Sequence, residues 1–415
     1  MRATLFSLIS LFISCFILLT ANGLINVLMP VRMALEEFDT DSIGFVQSLY
    51  FVGVLVGAIY SKKLIIRAGH IRMFAGCVSI GAVSILICSL HEDIYLWGCM
   101  RMVLGFCNAS AFSAMESWLS DRTTPSNRGR VLAVYNATML AGLFAGQFFM
   151  NLAEPEESKL FVIGGILLCL AVIPIALSKH KGPRIEEAKS ISLLALYRIS
   201  PLGVVSCLVA GSIYAAIFNL LPVFANENSI VDFQLSLYMG VAILGAFLLQ
   251  FPVGFLSDKY DRRTVLFSLL SVSAVSCVAA TWFAEMENLT GLFITTALSC
   301  GIIACTYPLS LSETFDKLEK DQLVAAMGCM VLAFAFGGVV GPYSASLVME
   351  WVGSAGLFYC LAVTQLLLAV FVIYRIKMRP ALPVEEQTHF VMQGGAVTGA
   401  VVEMAPEESR ITSDS

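Results

Sequence analysis

The chain has 415 residues, 58% of them hydrophobic and only 13% charged, with a net charge of −5 and a mean hydropathy of +0.83. Soluble domains average about 45–50% apolar and about 25% charged residues. A chain folded in water cannot bury that excess, so lipid is the solvent for most of this surface, and without a basic stripe nucleic acid is excluded as a partner.

Arg2 precedes an apolar run, Leu5 to Met29, longer than a signal-peptide core of about 7–15 residues; it reads as the first span. Further apolar stretches follow at 42–60, 72–90, 94–118, 131–152, 160–177, 202–224, 235–256, 264–284, 289–312, 323–349 and 355–374. Each is long enough to cross a bilayer. Lipid-embedded strands must close into barrels of alternating segments, so the expected fold is an all-α membrane protein with twelve transmembrane helices. The 12 cysteines are scattered without a CxxC and read as small hydrophobes rather than disulfides or metal ligands. No cofactor or metal is expected.

The loops divide by charge. One set carries Lys62, Lys63, Arg67, Arg72, Arg122, Arg128, Arg130, Lys259, Arg262, Arg263, Lys317 and Lys320. The alternate set carries Glu36, Glu37, Asp39, Glu92, Asp93, Glu154, Glu156, Glu157, Glu285 and Glu287, with Arg32 and Lys159 as its basic members. The positive-inside rule then puts both termini in the cytoplasm. The longest internal connection splits the chain into residues 1–177, a loop over 178–200, residues 201–378 and a disordered tail over 379–415. The charged stretch from Arg184 to Arg198 suits the inner membrane surface.

The halves repeat. An offset of 197 residues pairs Gly57 with Gly254, Ser61 with Asp258 and Glu116 with Glu313, and a two-residue slip pairs Gly142-x-x-x-Gly146-Gln147 with Gly337-x-x-x-Gly341-Pro342. Three correspondences in the same order are a duplication, and repeated bundles with a site between them mark transporters.

On these residues the chain resembles the major facilitator superfamily (MFS) over residues 1–378. Gly254-x-x-x-Asp258-x-x-x-Arg262-Arg263 is similar to the family's loop 8–9 motif, and Arg101-x-x-x-Gly105 to its fourth-helix motif. Leu64 to Arg72, Glu116-Ser-Trp-Leu and Asn127-Arg128-Gly129-Arg130 are most like the YcaD-like bacterial subgroup. The resemblance implies two pseudo-symmetric six-helix bundles rocking around a central cavity in a bacterial inner membrane. It also implies that Asp258 faces the start of the eleventh span. Two departures stand out: Ser61 replaces the acid in the first half, and the fifth span lacks the Gly-Pro pair of the family's antiporters.

An ionisable side chain inside a span costs at least about 2.5 kcal/mol and calls for a partner or a wet cavity. Arg101 lies roughly 10 Å into the fourth span. It reads as an anchor for carboxylate or phosphate, against a snorkelling or structural arginine. Glu116 and Glu313 sit near the basic-loop ends of the fourth and tenth spans. With Arg128, Arg130, Asp258, Arg262 and Arg263 they read as gating residues, with a proton-carrying carboxylate or a static pair as alternatives. Asn22, Asn26, Asn108, Tyr135, Asn136, Tyr214, Asn219, Tyr238 and Tyr307 are candidates for the cavity wall, Asn136 and Tyr214 foremost by depth. Such residues also simply bond neighbouring helices.

The expected function is secondary transport of a small organic solute, anionic or zwitterionic, by alternating access. Multidrug efflux and a receptor or sensor on the same scaffold are the rivals. Expected partners are the solute, the bilayer and a proton as candidate coupling ion, in a monomer. No His-Glu metal pair, Gly-x-Ser-x-Gly or paired-Asp motif lies in a span, so an enzyme is not expected.

Overall fold

A computed structural model describes residues 2–123, 128–177, 192–319, 322–378 and 387. The described residues are helical, without strands. The first half contains α1 (Arg2–Leu35), α2 (Thr40–Ala68), α3 (His70–Cys88), α4 (Ile94–Asp121), α5 (Arg128–Phe148) and α6 (Lys159–Ala176). The short α7 (Leu193–Ile199) leads into α8 (Pro201–Glu227), α9 (Asp232–Leu248), α10 (Gln250–Lys259), α11 (Arg262–Glu285), α12 (Leu289–Phe315), α13 (Leu323–Val352) and α14 (Gly356–Met378).

Among the described residues, 11 spans are apolar enough to cross a membrane. The 28-residue α4 is the twelfth by length; its hydropathy is diluted by Arg101, Asn108 and Glu116. The eighth span is broken into α9 and α10 at Leu249. Pro252 causes the break, since it has no N–H for the Leu248 carbonyl. Within the expected loop at 178–200, residues 178–191 lie outside the described residues, and α7 packs on α8 and α13. The tail over 379–415 lies outside them too, apart from Gln387.

The helices pack as two groups. In the first, α2 and α3 lie on α4, and α1 lies on α5 and α6; in the second, α8 lies on α13, α11 on α12 and α14, and α9 on α12. The sequence repeat reappears as packing. Glycines of α5 meet α1 in one bundle, and glycines of α13 meet α8 in the other. A Cβ on Gly146 would stand 2.3 Å from the Thr20 carbonyl oxygen, and one on Gly341 would stand 2.1 Å from that of Ser212. Only glycine lets the backbones approach so closely.

The bundles meet through α2 with α13, α5 with α9 and α1 with α8. These seams lie from mid-helix toward the acidic loops. There the Ser48 hydroxyl accepts the Tyr343 N–H at 3.1 Å, Asn151 Nδ2 donates to Ser236 Oγ at 2.8 Å, and Phe148 meets Phe233 with ring centroids 6.0 Å apart. At the same end Arg32 staples Glu36, Glu92 and the Pro155 carbonyl, tying three acidic-face segments of one bundle together.

Candidate functional site

Between the bundles lies a cavity of about 190 Å³. Its polar wall is carboxamide: Asn22, Asn26, Asn108, Gln147, Asn219 and Gln250. Its apolar wall sets the aromatic residues Tyr50, Phe51, Phe112, Tyr214, Phe218 and Phe334, from both halves, among aliphatic side chains such as Leu143, Met239 and Ile243. No described lining residue carries a charge. Tyr214 packs at a tilt against both Phe218 and Phe334, with centroids 4.6 and 5.6 Å away.

The amides are oriented before any solute arrives. Asn108 Nδ2 donates to Asn22 Oδ1 at 2.7 Å and to the Tyr50 hydroxyl at 3.2 Å, while Asn22 Nδ2 donates back to the Leu18 carbonyl at 3.0 Å. Asn219 Nδ2 is committed to the Ala215 carbonyl at 2.8 Å. Its oxygen is thereby turned outward.

That oxygen faces Arg101, directly behind the wall. Arg101 is 0% exposed. Its Nη1 donates to Asn26 Oδ1 at 3.2 Å, and its Nη2 donates to Gln47 Oε1 and to Asn219 Oδ1, the latter at 3.3 Å. The guanidinium lies over the Tyr50 ring, 4.9 Å from its centroid. Four helices thus meet at one cation, and Asn219 carries the link into the second bundle. No described carboxylate pairs with Arg101, and its Nε has no partner among the described residues. Amide dipoles and a ring face satisfy donors but leave the positive charge uncancelled, and such a charge in low dielectric attracts an anion strongly.

The second charged cluster is built differently. At the basic-loop end of the second bundle, Arg262 Nε meets Asp316 Oδ2 at 3.0 Å, and Arg263 Nε meets Glu313 Oε1 at 3.5 Å. Glu313 also takes Lys317 and the Ser200 hydroxyl, the latter at 2.6 Å. Burial holds the Lys317 ammonium below the usual lysine range, and the Glu313 carboxylate opposes that fall. Arg262 further donates to Gln387 at 3.3 Å. Asp258, near the end of α10, is exposed and acts on Arg262 at the start of α11.

The remaining candidates divide. Glu116 is wholly buried in the first bundle, against Tyr135 of α5 and Cys15 of α1. Arg130 is exposed at the start of α5, and the Arg128 side chain lies outside the described residues. Asn22, Asn26, Asn108, Tyr214 and Asn219 line the cavity. Tyr135 and Asn136 are buried in α5 away from its wall. The Tyr238 and Thr296 hydroxyls share a hydrogen bond at 2.8 Å between α9 and α12, and Tyr307 packs edge-on to Phe334. Sequence reasoning passed over Tyr50, Gln47, Gln147, Gln250 and Asp316. A signal existed for two of them: Gln47 and Tyr50 are three residues apart in an apolar span and so share a helix face.

The family model of the Major Facilitator Superfamily matches residues 11–245 and 202–400. The chain belongs to that superfamily. Among its relatives is an uncharacterized MFS-type transporter, YcaD of Escherichia fergusonii, 27% identical over 365 residues that cover 85% of this chain and 92% of the relative. Another, from Enterobacter sp. strain 638, is 29% identical and covers 80% and 86%. The superfamily fold is also that of the nucleoside transporter NupG, with a TM-score of 0.72, 14% identity and coverage of 90% and 100%. A bacterial homologue of the human lysosomal transporter Spinster, solved inward-facing and occupied, gives 0.71 at 13% identity, covering 92% and 98%. The chain is an MFS transporter of the YcaD-like subgroup, a multi-pass inner-membrane protein with two six-helix bundles.

Proposed function

We propose that this MFS transporter moves a small organic anion or zwitterion by alternating access, with Arg101 as the anchor of its anionic group. The observation that carries this reading is a wholly buried guanidinium, held by three neutral amides behind a cavity wall that has no charge of its own. A solute carboxylate or phosphate would exchange with Asn219 and Asn26 for a charge-assisted, two-pronged bond. The aromatic wall would hold the solute's apolar part. A lipophilic cation finds no described carboxylate in this wall, which weighs against multidrug efflux.

On this reading both termini and the basic loops are cytoplasmic, and the state described is closed on the outer, acidic-loop side. The gating residues act at the opposite end. The cluster of Arg262, Arg263 and Glu313, with Asp258 at its edge, keeps the second bundle's inner end rigid as the bundles rock. Glu116, with Arg128 and Arg130 at the start of α5, serves the first bundle.

The test is thermal unfolding of the purified protein with panels of carboxylates, phosphates, zwitterions and lipophilic cations. A ligand at about 100 times its Kd adds roughly 2.7 kcal/mol of stability. Anions should raise the melting temperature of wild type and leave Arg101→Gln unmoved. Stabilisation of both proteins by cations alone would make Arg101 structural and efflux the better account.

A further inference from the structure

Gln147, at the penultimate position of α5, is 3% exposed and lines the cavity. In the sequence repeat it stands where the other half has Pro342. A proline there can only shape the helix; a glutamine brings an amide. Its Nε2 donates to the Gly23 carbonyl of α1 at 3.3 Å and to the Leu143 carbonyl of its own helix at 2.8 Å. Gly23 and Gly146 allow that reach, since a Cβ on Gly23 would stand 3.2 Å from the Gln147 nitrogen.

These two bonds settle which way the amide faces. Both partners are carbonyl oxygens, which only accept. Turned over, the amide would set three oxygens against one another, so the assignment that is ordinarily ambiguous for a glutamine is fixed here by its surroundings. Oε1 is left on the free edge of the group, and it has no partner among the described residues. Buried acceptors are almost always satisfied; this one is buried and unsatisfied on a residue that lines a cavity. Gln147 also stands where the bundles meet, its own carbonyl accepting the Ser236 hydroxyl of α9 at 2.8 Å.

We propose that Gln147 Oε1 receives a hydrogen-bond donor of the solute, so that the transporter selects organic anions bearing an N–H or O–H group away from their anionic end. This rests on the reading that the anionic end engages Arg101. The site then reads two points. The cation and its amides take the charge, Gln147 takes the donor, and the rings of Tyr214, Phe218 and Phe334 line the same cavity. A site built to receive a donor rejects an isosteric solute without one, because its own acceptor is then buried unpaired. Gln147 is a specificity residue on this account.

The experiment uses the full-length purified protein and matched probes: 4-aminobenzoate against 4-methylbenzoate, and 4-hydroxyphenylacetate against 4-methoxyphenylacetate, titrated by melting temperature. The donor-bearing member of each pair should bind wild type at least about tenfold more tightly. Gln147→Met should level each pair while keeping an anion-dependent shift, which Arg101→Gln loses. If Gln147→Met does not fold, the wild-type pairs alone decide. Anions that stabilise through Arg101 but bind equally within each pair would overturn the donor site and leave the anion reading standing; a water resting on Oε1 gives this result. No anion-dependent shift in wild type would overturn both.

Discussion

Arg101 and the pair Arg262–Arg263 are buried arginines in one chain, solved in opposite ways. The second-bundle pair is given its own counter-charges, Asp316 and Glu313, with Ser200 and Lys317 completing the bonds. Arg101 is given three amide oxygens and a tyrosine ring. The difference teaches how to tell scaffold from site. A cation with resident carboxylates is a finished structural element; a cation held only by dipoles keeps its charge available to a visitor.

The contrast is broken most forcefully at the finished cluster. Glu313→Gln removes the charge shared by Arg263 and Lys317, and breaking a buried pair costs about 3–5 kcal/mol. The variant should melt well below wild type yet keep the anion-induced shift. An unchanged melting temperature would mean that the cluster is not a structural fastening. Adding Arg263→Met should recover part of the loss, since residues in one network couple by about 0.5–3 kcal/mol.

At Arg101 the same approach gives a smaller stability effect. Asn219→Ala removes one bond to a charged group, worth about 1.5–3 kcal/mol, and leaves two amides in place. The melting temperature should fall modestly while anion affinity holds or improves, because the solute no longer competes with Asn219. Affinity lost as completely as in Arg101→Gln would make Asn219 itself the anchor.

The smallest effect sharpens the finished cluster. Burial depresses the Lys317 pKa in the folded state, so the folded protein binds fewer protons than the unfolded one in the alkaline range below the ordinary lysine value. Its contribution to stability therefore rises with pH there and is lost as pH falls through the depressed value. Lys317→Met should flatten that slope in a pH series of melting temperatures.

Much of this was legible in the sequence, and the reasons are specific. The twelve spans show because lipid demands long apolar runs, and the duplication shows because Gly142, Gly146, Gly337 and Gly341 all sit at seams where a Cβ collides with backbone. Arg101 stood out by depth alone. Its partners did not, because Gln47 and Asn219 come from 54 and 118 residues away and only packing brings them in. Depth and polarity alone do not show which polar side chains a neighbour engages: Tyr238 reads as a cavity residue in the sequence, and the structure sets Thr296 against its hydroxyl. Gln147 was visible in the repeat as an oddity opposite Pro342, but its oriented amide depends on where Gly23 lies.

The most direct measurement turns one arginine site into the other. Gln47 Oε1 accepts from Arg101, and Gln47 Nε2 has no partner among the described residues, so Gln47→Glu supplies a carboxylate without losing a described bond. Melting temperatures of Gln47→Glu and wild type, with and without anions, decide the matter. If Arg101 awaits an anionic solute, the variant is the more stable protein without ligand, and its anion-induced shift is abolished. A variant less stable than wild type that keeps its full anion response would contradict the account.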